Sequence, residues 1–471
     1  MRKSLVTSYL EGLWNQTHGE SYSKILCYFF PEFITTLVLY SVLYLLDAHF
    51  IADLKSTSQY ATLGLSNNFL HFIIKIAEAM ALSITVMCGQ YNGTGDSKKV
   101  GQSFGDAFWL ITFVGIFFTV FLYFGAYYIY SFLGVPSRMV AIGVPFLKVR
   151  AIGILFLFLY FACVAFLRSL KDTRTPMYVF VIGGFVFIVL DYLLIFGIGG
   201  FPKLGLLGSA WATVIQYFVM LVLLLSYILL SSERRRYSIK LFSKISDINH
   251  MKHILNLTWP IVLDKATVAA AYIWLSKMIA PMGKYAIASY TVVKDMERFA
   301  FLPAMAFAQI ITILVSNDFG KRKWFDISAN IKKVVFLTSL MVFALLAVLS
   351  LYPEVFIRFF DQRNLFTAFS SRAFSLLALF VFFDLLQLIL SGALRGSGDV
   401  RSVMWVRIFV CFGFFCPLSY AVSLLPISDP VMKFVLIYAM FYIGNGIMSI
   451  AYIRRFRSGD WARRADEESH V

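Results

Sequence analysis

Charge is scarce in this chain: only 14% of its 471 residues are Asp, Glu, Lys or Arg, against 59% hydrophobic and 17% aromatic. A water-facing shell could not cover that much apolar surface, so a soluble globular fold is excluded and a polytopic helical membrane protein remains. Acidic residues are the scarcer sign, 26 against 42 Lys and Arg, for a net charge of +16. The basic residues sit between apolar runs rather than in a patch, which argues against nucleic acid as a partner. Cysteine is rare as well. Cys27, Cys88, Cys163, Cys411 and Cys416 all lie in apolar runs without metal-ligand spacing and read as small core residues. Residues 1–24 carry charge but no apolar core, so they do not read as a signal peptide. The turn Gly197-Ile-Gly-Gly200 lacks the lysine of a phosphate loop, and no nucleotide-binding domain that could use ATP is legible. His250-Met-Lys-His253 has metal-like spacing but no further ligand beside it, and reads as part of a basic surface linker.

Apolar runs are what the chain has in abundance. A span needs about 20 such residues to cross ~30 Å of hydrocarbon. Twelve runs qualify: 25–53, 61–89, 105–133, 143–166, 177–199, 205–230, 254–282, 285–316, 332–358, 371–394, 402–424 and 430–453. The longest polar connection, with Arg234, Arg235, Arg236, Lys240 and Lys244, lies between the sixth and seventh. The expected organisation is a 1–24 segment, a 25–230 lobe, a 231–252 basic linker, a 253–453 lobe and a 454–471 tail. Lys and Arg collect in the loops on one side (Lys98, Lys99, Arg168, Lys171, Arg174, the linker, the tail), which places both termini in the cytoplasm.

The halves repeat. Leu167-Arg-Ser-Leu-Lys-Asp-Thr-Arg-Thr-Pro-Met-Tyr-Val179 and Leu394-Arg-Gly-Ser-Gly-Asp-Val-Arg-Ser-Val-Met-Trp-Val406 share six of thirteen residues at an offset of 227, and Ala79-Met-Ala81 matches Ala306-Phe-Ala308 at the same offset. Six spans per half is even, so the halves insert the same way up as a parallel repeat. A substrate cavity is then expected between two lobes that rock.

One ionisable group stands inside the fifth run: Asp191, between Leu190 and Tyr192. Such a group costs roughly 2.5–3.5 kcal/mol on insertion scales, so it faces protein or water and by default has a function; neutralisation by a neighbouring helix is the other reading. At the repeat offset, Asn67, Asn68 and His71 of the second run fall on Lys294, Asp295 and Arg298 of the eighth. These clusters read either as a mixed-charge cavity wall for zwitterionic or anionic substrates or as a salt-bridged helix entrance. Lys75 and Glu78, three residues apart, read as an internal ion pair.

Several stretches together resemble the multidrug and toxic compound extrusion (MATE) family. They are Leu45-Leu-Asp-Ala-His-Phe-Ile-Ala52, Gly89-Gln-Tyr-Asn-Gly-Thr-Gly-Asp96, Arg168-Ser-Leu-Lys-Asp-Thr-Arg-Thr-Pro176, Leu190-Asp-Tyr-Leu-Leu-Ile-Phe-Gly197, Gly205-Leu-Leu-Gly-Ser-Ala-Trp-Ala-Thr213, and Asp384-Leu-Leu-Gln387 followed by Ser391-Gly-Ala-Leu-Arg-Gly396. The resemblance implies an all-α protein of twelve transmembrane helices, two six-helix bundles in a V shape, in a bacterial inner membrane. It implies a monomeric antiporter, not an enzyme, that exports amphipathic organic compounds in exchange for a proton or sodium, with membrane lipids as its surroundings and no cofactor. Asp47 and Asp191 match positions of the family's ion site in the first lobe, with Thr213 as a helper. The family often has Asn four residues before the fifth-span acid; here that residue is Phe187, which weakens a sodium site. In the second lobe Asp384 matches the tenth-span acid and Gln387 its neighbour on the cavity. The seventh-span acid is replaced by Val268, and Asp264, one turn away, either substitutes for it or pairs locally with Lys265. Pro31 resembles the first-span proline, where a bend either couples protonation to helix movement or is a simple kink. A flippase of a lipid-linked precursor, favoured by Lys294 and Arg298, is the nearest alternative. A membrane enzyme is the more distant one, since no nucleophile or metal constellation is legible.

Overall fold

The computed structural model describes residues 17–38, 43–54, 56–132, 134–239, 241, 248–361 and 364–462. The beginning of the expected 1–24 segment, part of the 231–252 linker and the second half of the 454–471 tail lie outside these residues. The described elements are helices, in this order: α1 (Tyr22–Leu37), α2 (Leu43–Asp53), α3 (Thr57–Thr94), α4 (Ser97–Phe132), α5 (Ser137–Ser169), α6 (Arg174–Phe196) and α7 (Leu206–Leu230). A 3-10 turn at Ser232–Tyr237 leads to α8 (Ile248–Ile279), α9 (Lys284–Gly320), α10 (Trp324–Leu351), α11 (Pro353–Phe360), α12 (Thr367–Leu377) and α13 (Val381–Gly396). Then follow α14 (Val400–Val410), a π turn at Cys411–Phe415, α15 (Cys416–Leu424) and α16 (Pro430–Ser458).

Ten helical stretches among the described residues are long and apolar enough to cross a membrane. The other two expected spans, the first and the seventh, are the α1/α2 pair and α8. Residues 39–42 of the first run lie outside the described residues, and α8 carries Lys252, Asp264, Lys265 and Lys277 along its length. The protein is thus an all-α, multi-pass membrane protein.

The chain divides into two units. One comprises Phe30–Thr258; the other takes the residues up to Phe29 and those from Trp259 onward. In the first, α5 packs on α3, α4 and α7, and α6 packs on α7. In the second, α9 packs on α10 and α13, and α13 on α16. Their cores are continuous apolar clusters, built around Phe104, Phe158 and Phe166 in one and around Phe374, Phe434 and Tyr438 in the other.

The repeat seen in the sequence is written into each unit's hydrogen bonds. Thr85 Oγ1 donates to the Ala165 carbonyl (3.3 Å), and Thr312 Oγ1, 227 residues later, to the Gly392 carbonyl (2.9 Å). The α5–α6 turn has the Asp172 N–H on the Leu167 carbonyl (3.0 Å), and the Asp399 N–H lies on the Leu394 carbonyl (2.9 Å). Both turns need a left-handed residue, Lys171 in one (φ +64°) and Gly398 in the other (φ +86°). Glycine adopts that conformation freely and lysine does not. The arginine that opens each turn reaches an acid on the first long helix of its own unit. Arg168 forms a two-pronged pair with buried Glu32 of α1 (2.7 Å and 2.5 Å), and Arg395 pairs with Asp264 of α8 (2.6 Å).

Candidate functional site

In the first unit, four helices converge on one acidic pocket. Its geometry depends on how closely α6 and α7 can approach. At the end of α6, Gly197 is left-handed (φ +73°) and its N–H caps the Leu193 carbonyl. Near the start of α7, a Cβ on Gly208 would lie 2.7 Å from the Leu194 carbonyl group; only glycine permits this contact. The next residue, Ser209, is fully buried and donates its hydroxyl to Oδ1 of Asp47 on α2 at 2.7 Å. One turn further along α7, Thr213 donates to the Ser209 carbonyl (3.0 Å) and accepts a hydrogen bond from the Arg150 guanidinium of α5.

Asp47 is 8% exposed and Asp191 0%. Asp191 has Asp47 and Arg150 as electrostatic neighbours and the Ser209 hydroxyl beside it, but that hydroxyl is directed at Asp47 and leaves the two Asp191 oxygens outside hydrogen-bond geometry. The structure therefore brings together the three residues expected to form an ion site: Asp47, Asp191 and Thr213. Two further members, Ser209 and Arg150, escaped the sequence reading. Phe187, one turn before Asp191, is buried in the apolar core of this unit. A buried ionised carboxylate is expensive unless it is paired or hydrogen-bonded. Among the described residues, no group of three or more His, Cys, Asp or Glu could hold a metal ion.

The second unit disposes of its charges differently. Asp264 (1% exposed) is gripped on both oxygens, by Arg395 of α13 and by Arg407 of α14. Lys265 contributes only through the field at Asp264. Val268, one turn on, lines a cavity of about 20 Å³ with Arg407 and Asn445. Asp384 accepts from Asn445 Nδ2 (2.9 Å) and faces Arg407. Gln387 is buried, with the Tyr452 hydroxyl as its side-chain neighbour. Glu297 of α9, which the sequence reading passed over, is 8% exposed, accepts from the Tyr438 hydroxyl and has Asp384 as an electrostatic neighbour.

The remaining candidates are less concentrated. Asp295 is half-buried with Lys294 and Arg298 as its charged neighbours, and Lys294 lies over the Tyr290 ring at 5.5 Å. In the first unit, exposed His71 bonds the Asn67 carbonyl of its own helix (2.7 Å). The side chain of Asn68 lies outside the described residues. Lys75 and Glu78 form the internal pair, at 2.8 Å. Pro31 lies inside α1, and its carbonyl takes the Thr35 hydroxyl (2.9 Å). His250, which reads as a surface residue in the sequence, is half-buried and meets buried Asp106 of α4 at 2.8 Å.

Comparison with known proteins agrees with this architecture. A family model described as MatE matches residues 33–193 and 260–421, two stretches that begin 227 residues apart. The chain is 25% identical over 410 residues to the "Probable multidrug resistance protein NorM" of Thermotoga maritima, covering 85% of each protein. It is 23% identical over 372 residues to the "Probable multidrug resistance protein YoeA" of Bacillus subtilis, covering 77% of this chain and 79% of that one. A crystal structure described as MATE in the bent conformation superposes with a TM-score of 0.85 at 17% identity over the whole of both chains. A MOP superfamily transporter from Pyrococcus furiosus, whose structure is described under the words "reverse polarity of binding pocket", superposes with a TM-score of 0.83 at 18% identity over 97% of this chain and 98% of that one. At such identities the structural likeness establishes the fold.

Proposed function

Because the chain belongs to the MatE family of membrane transporters, and is not an enzyme, we propose that it is a cation-coupled antiporter that exports amphipathic organic compounds. Asp47 and Asp191 bind the coupling cation, a proton or sodium. The observation that carries this reading is Asp191: fully buried, beside a second carboxylate, with the nearby Ser209 hydroxyl directed at Oδ1 of that other acid. A group left in that state in a membrane protein is costly unless a cation visits it.

Inward cation flow supplies the work, about 2.3 kcal/mol per charge for each 100 mV of potential. Coupling requires cation and substrate to favour opposite states of the protein, since a ligand that binds both equally shifts neither. Ser209 and Thr213 orient the pocket, and Phe187 and Gly208 keep it dry and narrow. The organic substrate is assigned on the names of the relatives, both described as multidrug resistance proteins. The protein works in a bacterial inner membrane with both termini in the cytoplasm.

Proteoliposomes loaded with ethidium, with pH and sodium gradients imposed separately, test the reading. The native protein is expected to expel the dye only when a gradient is present, and Asp47→Asn and Asp191→Asn to abolish the gradient's effect. Ion-driven efflux that survives in Asp191→Asn overturns the assignment.

A further inference from the structure

The acidic pocket holds a charge that a plain two-carboxylate site does not need. Arg150 lies well inside α5, half-buried, with its guanidinium on Thr213 and 5.8 Å from the centre of the Phe146 ring. Asp47, Asp191 and the Tyr217 hydroxyl are all within its electrostatic reach. We propose that Arg150 is the specificity-determining residue of the pocket: its fixed charge stands in for one cation, so that the pocket takes a single proton per cycle and refuses sodium. This inference rests on the reading of Asp47 and Asp191 as the coupling site.

Two arguments carry it. The first is charge. Two ionised carboxylates total two negative charges, and the positive charge of the guanidinium cancels one of them. One proton, added to a single lone pair, then neutralises the pocket. The bond formed is O–H on a carboxylate, and it breaks again when that proton leaves on the opposite side. A sodium ion in the proton's place would stay a point charge beside the guanidinium in a poorly screened site, where like charges repel strongly, whereas a proton is absorbed into a neutral carboxyl group.

The second argument is ligand supply. An alkali cation must replace its lost water by several oxygens, whereas a proton needs one. Arg150 takes up one such oxygen: Thr213 donates to the Ser209 carbonyl and accepts from the guanidinium, so its hydroxyl is engaged on both sides. The Ser209 hydroxyl donates to Asp47 and keeps its lone pairs, and the Tyr217 hydroxyl stands near Arg150. With Thr213 held by Arg150, a proton still finds the one oxygen it needs on Asp191, while sodium loses a ligand.

The test compares native protein with Arg150→Gln and Arg150→Lys, in detergent and in proteoliposomes loaded with ethidium. Radioactive sodium is offered to the purified proteins, and dye efflux is driven by a pH gradient or by a sodium gradient at fixed pH. Native protein and Arg150→Lys are expected to bind no sodium in the pocket and to respond to pH alone. Arg150→Gln is expected to retain radioactive sodium at least tenfold above the native background and to gain sodium-driven efflux. Unchanged ion dependence in a folded Arg150→Gln overturns the proposal. So does sodium binding by native protein that disappears in Asp191→Asn, a result that needs no Arg150 variant to fold. If gradient-driven efflux is unaffected in Asp191→Asn, the coupling-site reading itself fails. Loss of coupling in Asp191→Asn with unaltered selectivity in Arg150→Gln removes the role of Arg150 alone.

Discussion

Replacing Asp264 by Asn probes how the second unit stores its buried charge. Asp264, Arg395 and Arg407 are 1%, 6% and 7% exposed, and the single carboxylate serves both guanidinium groups. The amide in Asp264→Asn would keep the shape and remove the charge, leaving two buried cations, with Asp384 still an acidic neighbour of Arg407. Breaking a buried ion pair from one side costs about 3–5 kcal/mol, because the surviving charge stays desolvated. With two survivors the upper part of that range is expected. Thiol unmasking offers an assay, since Cys411 is buried in the second unit while Cys88 and Cys163 are buried in the first. Under increasing denaturant in detergent, Cys411 is expected to react at a markedly lower midpoint in Asp264→Asn, with Cys88 and Cys163 shifted less. Replacing the whole triad by Leu and Met is expected to recover most of the loss, as apolar substitutes for buried ion triads do elsewhere. A shift below about 1 kcal/mol, the size found for exposed pairs, would refute the idea that one acid compensates two buried arginines.

Two further outcomes follow from single contacts. Gly208→Ala would place a methyl group 2.7 Å from the Leu194 carbonyl group, so α7 must move off α6; a stability loss of about 1–3 kcal/mol and a weakened Ser209–Asp47 bond are expected, read by thermal unfolding and by ion-driven efflux together. In the loop before α12, burial acts to raise the Asp361 carboxyl, but the Phe366 N–H, the Thr367 hydroxyl and the Leu365 N–H outweigh it and hold the group below the ordinary carboxylate range. Its contribution to stability is then complete above the unfolded value near pH 4 and is lost as pH falls through the lower folded value. Hydrogen-exchange protection of the Leu365 and Phe366 amides, corrected for intrinsic rate, is expected to drop over that acidic window in native protein and to be low and flat with pH in Asp361→Asn.

The helical class, the repeat and the two principal acids are legible in the sequence for one reason. In a chain so poor in charge, each carboxylate inside an apolar run stands out, and the membrane makes each one expensive. What pairs with what is not legible. Arg150 and Lys148 fall near the edge of an apolar run, where a long basic side chain reads as an anchor reaching for water; only the fold turns Arg150 onto Thr213. Ser209 is one of many serines until Gly208 lets α7 close on α6. Glu297 is hidden among Lys294, Asp295 and Arg298, although the others are half-buried or exposed and it alone of these four is buried against Tyr438. For Asp264 the sequence offers Lys265 as the nearest cation, while its actual partners stand 131 and 143 residues away. His250 and Asp106 are likewise joined across 144 residues. The offset of 227 could have pointed to one of these pairs: Arg168 and Arg395 occupy equivalent positions, and each would need an acid on the first long helix of its half.

Infrared difference spectroscopy of the purified protein, on a downward pH step and on sodium addition at fixed pH, reaches the Asp47–Asp191 pocket most directly. A carboxyl or carboxylate band that responds to the cation in native protein and is missing from Asp191→Asn is the expected result. The same band at the same intensity in Asp191→Asn would contradict the assignment of that carboxylate as the seat of the coupling ion.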